Sequence, residues 1–212
     1  PIVSYDEINT ILWWIKNSDK SNDVLSSIEI PDEIKISLNK IYNIDFSDKQ
    51  WFETISVQEL DESKLINIDK SVFQVKFISS NKKFVSVKYL KNNLSEVEFD
   101  QLEAIKNHIA YLFIKDSNLS DKSLLNFLNL KNLVSLDIQK NSISDEGVKT
   151  LQKLENLEVL NLYGTKISKN SLEIIESFKN LKRVYVWDTK ISKKDLESFN
   201  RNNSSIELVG GI

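Results

Sequence analysis

The chain has 212 residues, and its 28 Lys and Arg against 31 Asp and Glu give a formal net charge of −3. This balance provides no basic field to attract nucleic acid, and no stretch approaches the roughly 20 apolar residues that a membrane-spanning helix needs. Cys is absent, which excludes disulfides, thiolate metal sites and covalent haem attachment within these residues.

The first predicted element is a helix that opens with a capping box, in which Ser4 is the N-cap and Glu7 follows three residues later. Its apolar residues, including Trp13 and Trp14, occupy more than one face. A second helix is predicted over residues 31–42, with Pro31 at its first position. A helix that is apolar on several faces must be buried, and two short helices cannot cover both tryptophans. We therefore expect residues 1–50 to be a helical segment that contacts a missing domain or another chain.

A helix over residues 60–68 and a strand over residues 72–77 are predicted next. The repeats described below begin clearly at Phe84 and continue to the end of the chain. We place the repeat domain at residues 51–212, with clear repeats at 84–212.

An internal repeat with a spacing of 24 residues is the strongest signal in the sequence. At this spacing, columns of residues stay apolar through four successive turns. They are Ile109, Leu133, Leu157 and Leu181; Leu112, Leu136, Leu160 and Val184; Ile114, Ile138, Leu162 and Val186; Leu119, Ile143, Ile167 and Ile191; Leu124, Val148, Leu172 and Leu196; and Phe127, Leu151, Ile175 and Phe199.

Within a turn the pattern is L-x-x-L-x-L-x-x-(N/T)-x-I, as in residues 133–143. It resembles the leucine-rich-repeat signature. Leu136 and Ile138 alternate as in a strand, whereas Val148 and Leu151 have helical spacing. Each turn therefore predicts a strand, a bend and a helix, and neighbouring turns must stack to bury their apolar faces. The predicted fold class is α/β, a leucine-rich-repeat solenoid with a parallel sheet inside and helices outside.

Element positions follow from the same pattern. Helices are predicted over residues 124–130, 148–154 and 172–178, and a last strand near Leu208. Strands that form one parallel sheet are predicted to begin near Phe84, Ile109, Leu133, Leu157 and Leu181.

One column at the bend holds small polar residues, namely Ser117, Asn141, Thr165 and Thr189. The backbone that leaves a strand has amide and carbonyl groups that need hydrogen-bond partners, and Asn and Thr can supply them. We interpret this column as structural.

Residues 4–15, which include Leu12-Trp13-Trp14-Ile15, resemble the last helix of planctomycete-type cytochrome c domains. Ser18-Asp19 stands where that family has Gly-Ala, and the family's Cys-x-x-Cys-His haem motif is absent. The repeats, as at 160–167 and 184–191, look like those that follow such a domain in bacterial cell-envelope proteins. The resemblance implies that residues 1–50 are the tail of a truncated haem domain, that haem c binds upstream and not in this chain, and that the protein is extracytoplasmic, in the periplasm or cell envelope.

The residues between the buried columns of each strand are predicted to face outward, on the concave inner curve of the solenoid. The core does not require aromatic residues there, and Tyr, Trp and Arg are enriched in binding hot spots. The candidate ligand-binding residues are Tyr111, Phe113, Asp137, Asn161, Tyr163, Arg183, Tyr185 and Trp187. The alternative interpretation is that these large side chains shield the sheet near its C-terminal edge or pack on the end cap.

Three functions stay open at this point. The first is an interaction module that holds a protein, peptide or glycan on the concave face. The second is the docking or recognition part of a larger c-type cytochrome or redox protein, and the third is a structural spacer of the cell envelope. No catalytic motif is visible, so we do not expect an enzyme. His108 is the single histidine and has no neighbour at metal-site spacing, so we interpret it as an ordinary loop residue.

Overall fold

The computed structural model describes residues 57–78, 82–203 and 205–210, and the predicted helices of segment 1–50 lie outside these ranges. The described strands are β1 Phe73–Phe77, β2 Val85–Tyr89, β3 Ile109–Phe113, β4 Ser135–Asp137, β5 Val159–Asn161, β6 Arg183–Tyr185 and β7 Glu207–Val209. The described α-helices are α1 Glu96–Asp100, α2 Asp145–Leu151, α3 Ser171–Glu176 and α4 Lys193–Asn202, and the 3-10 helices are Glu62–Leu65, Glu103–His108 and Asp121–Asn129.

The described strands form one sheet in the order β1 to β7, so each strand lies beside its neighbour in sequence. From β2 to β7 every pair is parallel, which confirms the predicted parallel sheet for these strands. The register pairs Ser135 with Val159 and Val159 with Arg183, residues that are 24 positions apart in sequence. Each turn of the chain therefore places its strand directly beside the equivalent strand of the previous turn.

The first strand departs from the predicted parallel sheet, because β1 runs antiparallel to β2. Only residues 78–84 connect the two strands. A parallel connection needs a crossover of about a dozen residues or more, whereas antiparallel neighbours need only a short link. The predicted strand at 72–77 is confirmed, but the predicted helix over 60–68 is shorter than expected and is the 3-10 turn Glu62–Leu65.

The core lies between the sheet and the helices, and it is made of the apolar columns that the repeat predicts. Leu136, Leu160 and Leu162 are 0% exposed, as expected. The other apolar columns of the strands and bends are also buried, with the exception of Ile191 in the last turn, which is only partly buried. On the helix side Leu172 and Leu196 are also only partly buried.

The helices lie close to their predicted positions but begin earlier. Those predicted over 148–154 and 172–178 are α2 and α3, and the one predicted over 124–130 is the 3-10 helix Asp121–Asn129. The earlier start of α2 coincides with a polar cap, whereas the side chain of Asn170, the N-cap of α3, makes no cap hydrogen bond. At the start of α2, Ser144 Oγ accepts a hydrogen bond of 3.3 Å from the Glu146 amide, and such a cap satisfies an amide that has no partner inside the helix.

The polar column at the bend has the structural role that the sequence predicts. The side chain of Asn141 is buried, and its Oδ1 accepts hydrogen bonds from the amides of Ser117 (2.9 Å) and Leu119 (3.0 Å). Its Nδ2 donates to the carbonyls of Ile114 (2.8 Å) and Ile138 (2.9 Å). One amide side chain thereby joins the bends of two successive turns.

A second polar column lies just before each strand, and its role is not predicted from the sequence. Asn132, Asn156 and Asn180 each donate from Nδ2 to the carbonyl of the residue 25 positions earlier, at 2.7–2.8 Å. His108 occupies the equivalent position one turn earlier, and its Nδ1 lies 2.8 Å from the carbonyl of Lys83. Because a carbonyl only accepts, Nδ1 is the protonated nitrogen in this contact. The single histidine thus takes the place of an asparagine in a structural ladder. Its ring has a hydrogen-bond partner, as interpreted, but it is the last residue of the 3-10 helix Glu103–His108 and not a loop residue.

Candidate binding surface on the open face of the sheet

Alternate residues of each strand point away from the core, and we call the surface that they form the open face. The residues on it change from strand to strand, unlike the buried columns. One column contains Tyr111, Ser135, Val159, Arg183 and Glu207, and the next contains Phe113, Asp137, Asn161, Tyr185 and Val209. All eight candidate residues from the sequence lie in these columns or directly after the strands.

An aromatic cluster occupies the C-terminal part of the open face. The rings of Tyr185 and Trp187 are stacked, with centroids 5.8 Å apart and planes inclined by 17°. Tyr163 belongs to the preceding turn, and the amide of Gly164 donates to the carbonyl of Trp187 at 2.9 Å, so the two backbones stay paired beyond the strands. We call Tyr163, Tyr185 and Trp187 the aromatic ridge; all three side chains are partly exposed.

The stacked arrangement determines which part of each ring is presented. Tyr185 and Trp187 each cover one face of the other, so the second face and the edges of each ring lie outside the stack. Tyr163 has a cation beside it, because Lys140 Nζ lies 5.6 Å from the centroid of its ring. Lys140 was not among the predicted site residues. The 24-residue spacing places Lys140 in the same column as Gly164 and Asp188. That spacing does not predict a contact between Lys140 and the ring of Tyr163.

Arg183 lies beside the aromatic ridge but is held within the protein. The residue is 8% exposed, and its Nε donates to Glu207 Oε2 at 2.8 Å. Glu207 belongs to β7, and half of its side chain is exposed. The pair therefore joins β6 to β7 and leaves a carboxylate, rather than the guanidinium, at the surface.

Asp137 and Asn161 order the backbone that follows their strands. Asp137 is 8% exposed and accepts hydrogen bonds from the amide (3.2 Å) and the side chain of Gln139. One turn later, Asn161 Oδ1 accepts from the amide of Tyr163 at 3.0 Å. Side chains of this type commonly bond to the amide two residues on. Asn161 thereby positions the backbone from which Tyr163 extends.

Tyr111 and Phe113 are partly exposed on β3 and lie apart from the aromatic ridge. Strands β4 and β5 separate β3 from β6, so three strand spacings of about 4.8 Å each, roughly 14 Å, lie between Phe113 and Tyr185. The backbone pairing therefore places Tyr163 in the turn next to the stacked Tyr185 and Trp187, and Tyr111 and Phe113 lie apart from them on β3.

Titratable side chains away from the open face form hydrogen-bond networks that have a structural role. Glu98 accepts hydrogen bonds from the Ser95 amide (3.0 Å), Lys91 (3.0 Å) and the Tyr89 hydroxyl (3.1 Å). The bond from the Ser95 backbone, together with the one from Lys91, lowers the pKa of Glu98 from 4.5 to about 2. Burial and the contact with Glu98 raise the pKa of Tyr89 to about 12. These groups fix the start of α1 and show no arrangement suited to proton transfer.

A second such network links the starts of successive helices. Asp145 Oδ1 accepts from the Ser168 amide and Oδ2 from the Ser168 hydroxyl, both at 2.7 Å. Burial raises the pKa of Asp145, but the hydrogen bonds from Ser168 and Ser171 outweigh it and hold this pKa below its ordinary value. Within the described ranges, no three His, Asp or Glu side chains are grouped as metal ligands. No helix among the described residues has the length and apolar character to cross a membrane.

No protein-family model and no curated protein matches the chain. Among solved structures, the chain is similar to internalin C2 of Listeria monocytogenes, with 22% identity over 52% of this chain and 45% of that chain and a TM-score of 0.37. It is also similar to actin-binding site 2 of leiomodin-1, with 11% identity over 62% of this chain and 71% of that chain and a TM-score of 0.32. The match thus spans less than half of the internalin chain. Both TM-scores lie below 0.5, and the register of β2 to β7 and the buried columns fit a leucine-rich-repeat-like fold.

Proposed function

We propose that this chain is a protein-interaction module, built from 24-residue leucine-rich turns, which holds a peptide or protein segment on the open face of its sheet. The observation that carries the proposal is the aromatic ridge, in which Tyr185 and Trp187 stack on one another while both stay partly exposed. The core does not need them, because the covered face of the same strand is filled by Val184 and Val186.

In this proposal the edges of the stacked rings contact a polypeptide. Tyr185 and Trp187 each cover one face of the other, and Lys140 Nζ lies 5.6 Å from the centroid of the Tyr163 ring. Ring edges offer apolar area that suits the apolar side chains of a bound polypeptide. A glycan that stacks on the second face of a ring is the alternative.

The surface around the ridge is ordered before any ligand arrives. Asn161 bonds to the Tyr163 amide, and Arg183 bonds to Glu207. A surface whose side chains are already fixed loses less conformational entropy on binding. In this proposal Arg183, Asp137 and Asn161 support the site, and the aromatic ridge makes the direct contacts.

The test uses peptides selected from a random display library on the full chain. Trp187→Ala should weaken binding of the selected peptides by about thirtyfold, because loss of a central aromatic commonly costs about 2 kcal/mol or more. Val97→Ala is the matched control, since Val97 is an apolar residue of α1 that is 77% exposed, away from the open face. Equal losses in both variants, or none in Trp187→Ala, would remove the ridge from the proposed site.

Docking to a c-type cytochrome domain, with haem c bound there, and an extracytoplasmic location rest on two resemblances. One is that of residues 4–15, which lie outside the described ranges, and the other is that of the repeats at 160–167 and 184–191. The docking and the location stay predictions. A haem motif encoded upstream of Pro1 in the same gene would support them.

A further inference from the structure

We propose that β1 is a pairing edge through which two copies of this chain associate, with the β1 strands antiparallel about Val75. The proposal is independent of the open face. It begins from the position of β1, which is the end strand of the sheet and has a described neighbour only on the β2 side.

The hydrogen-bond pattern shows which backbone groups of β1 point away from β2. The amide of Leu90 donates to the carbonyl of Val72 at 2.9 Å, and the amide of Ile78 donates to the carbonyl of Phe84 at 3.1 Å. In an antiparallel pair, residues alternate between those that bond to the neighbour and those that do not. Even-numbered residues from 72 to 78 therefore bond to β2, and Phe73, Val75 and Phe77 direct their backbone groups outward.

Most of these outward groups are available for pairing. The Phe73 amide is already used, because it donates to the carbonyl of Asp69 at 2.9 Å. Within the described ranges, no hydrogen bond is made by the N–H or C=O of Val75 or Phe77 on this outer side. A row of such groups on a sheet edge is a template for another strand.

The edge is complementary to itself. If two β1 strands pair about Val75, its N–H and C=O bond reciprocally to Val75 of the second copy. Each Phe77 N–H then reaches the Phe73 carbonyl of the other copy, whereas the Phe77 carbonyl has no donor opposite it because the Phe73 amide is in use. Gln74 faces Lys76 of the second copy, and no like charges meet. A second copy of this chain is therefore an occupant that can form four backbone hydrogen bonds, two between the Val75 residues and one at each Phe77.

The apolar side chains next to the edge support the same pairing. Phe73, Val75 and Phe77 lie on the covered face, opposite Tyr89, Val87 and Val85 of β2. A pocket of about 540 Å³ lies at the Phe73 end of the strand. Its apolar lining consists of Leu65, Ile66, Ile68, Phe73, Val75 and Leu90.

Two of these lining residues are exposed large apolar side chains, Ile66 at 79% and Leu90 at 44%. In the antiparallel pair, Phe77 of the second copy falls opposite Phe73 and hence beside this pocket. Pairing would therefore bring an apolar ring to an apolar surface that the single chain leaves in water.

The first experiment is analytical ultracentrifugation of the full chain and two variants over a concentration series. Val75→Pro removes the outward N–H but no bond to β2, as proline is tolerated on the solvent side of an edge strand. It should weaken the dimer at least tenfold. Val75→Thr keeps the N–H and the β-branched shape, and it should dimerise like the natural chain. A thermal melt at low concentration checks that both variants fold.

A charge series at Gln74 provides a test that does not depend on the folding of the proline variant. Gln74 is exposed and faces Lys76 of the second copy. Gln74→Glu should tighten the dimer and Gln74→Lys should weaken it, with about tenfold between the two dissociation constants because each change occurs twice in the pair.

A chain that stays monomeric at every concentration overturns the proposal. A dimer whose dissociation constant is unchanged in Val75→Pro also overturns the proposal. Equal weakening of the dimer by Val75→Thr and Val75→Pro overturns it as well, because the contact would then depend on the side chain rather than on strand pairing. A dimer that responds in the same direction to Gln74→Glu and Gln74→Lys also excludes the antiparallel register.

Discussion

The two faces of the sheet are made from alternate residues of the same strands, but only one face repeats from turn to turn. On the covered face, Leu136 and Leu160 continue a column that is fully buried. On the open face, the neighbouring position changes from Ser135 to Val159 and then to Arg183. Stacking dictates the covered column, because each turn must fill the space left by the previous one. Stacking does not dictate the residues of the open face, and the proposed binding function accounts for the aromatic ridge there.

The largest effect that this comparison predicts is on the covered face. Leu160→Ala should lower the free energy of unfolding by about 2–5 kcal/mol, because it removes a fully buried side chain and leaves a cavity. Val159→Ala, one residue earlier and on the open face, should cost less than about 1 kcal/mol because its side chain is only partly buried. Lys149→Ala, on the exposed side of α2, should cost less than about 0.5 kcal/mol. Equal urea midpoints for the three variants would show that the two faces are not distinct.

A nearly equal effect is predicted at the bend that joins the turns. Asn141→Ala should cost about 2–4 kcal/mol, because it leaves the buried amides of Ser117 and Leu119 without their acceptor. Asn141→Thr should recover part of this loss. In the next turn, Thr165 Oγ1 already donates to the carbonyl of Leu162 at 2.6 Å. Chemical denaturation of both variants tests this order, and a threonine variant no better than alanine would contradict it.

The repeat predicts the covered face and the order of β2 to β7 because a fixed spacing must place equivalent residues side by side. It does not predict the orientation of β1, which is set by the short connection over residues 78–84 and not by the period. For the candidate site, alternation along the strand places Tyr185 and Trp187 on the open face. It cannot show that their rings stack, or that Arg183 bonds to Glu207, because both depend on rotamers and on contacts between strands.

A smaller effect concerns the backbone at the bend, where one position per turn has a left-handed conformation. Lys140 (φ 56°), Gly164 (φ 66°) and Asp188 (φ 52°) occupy it in successive turns. Gly164→Ala should destabilise the protein by about 1 kcal/mol, because a side chain is strained there. Asp188→Gly should change stability by less than about 0.5 kcal/mol, because the relief of the left-handed conformation is offset by the larger entropy of glycine in the unfolded chain. Equal losses of thermal midpoint in the two variants would contradict this account.

The smallest predicted effect is the pH dependence at the start of α1. The folded pKa of Glu98 is about 2, below the ordinary value of 4.5, so its charged form stabilises the folded state. This contribution is fully present above pH 4.5 and is lost as the pH falls through about 2. Glu98→Gln should therefore be less stable than the natural chain at pH 6, and the difference should close between pH 5 and pH 2. A difference in unfolding free energy that stays constant over this range would exclude the proposed role of the charge.

The most direct test of the central claim compares one residue from each face in the same two assays. Affinity for a library-selected peptide and unfolding free energy are measured for Trp187→Ala and Leu160→Ala, at a temperature at which both variants are folded. Trp187→Ala should lose about thirtyfold in affinity and much less stability than Leu160→Ala, because the side chain of Trp187 is partly exposed. Leu160→Ala should lose several kcal/mol of stability and less than about twofold in affinity, a difference of under 0.5 kcal/mol. Unchanged affinity in Trp187→Ala, together with a stability loss as large as that of Leu160→Ala, would show that the aromatic ridge is packing and not a binding site.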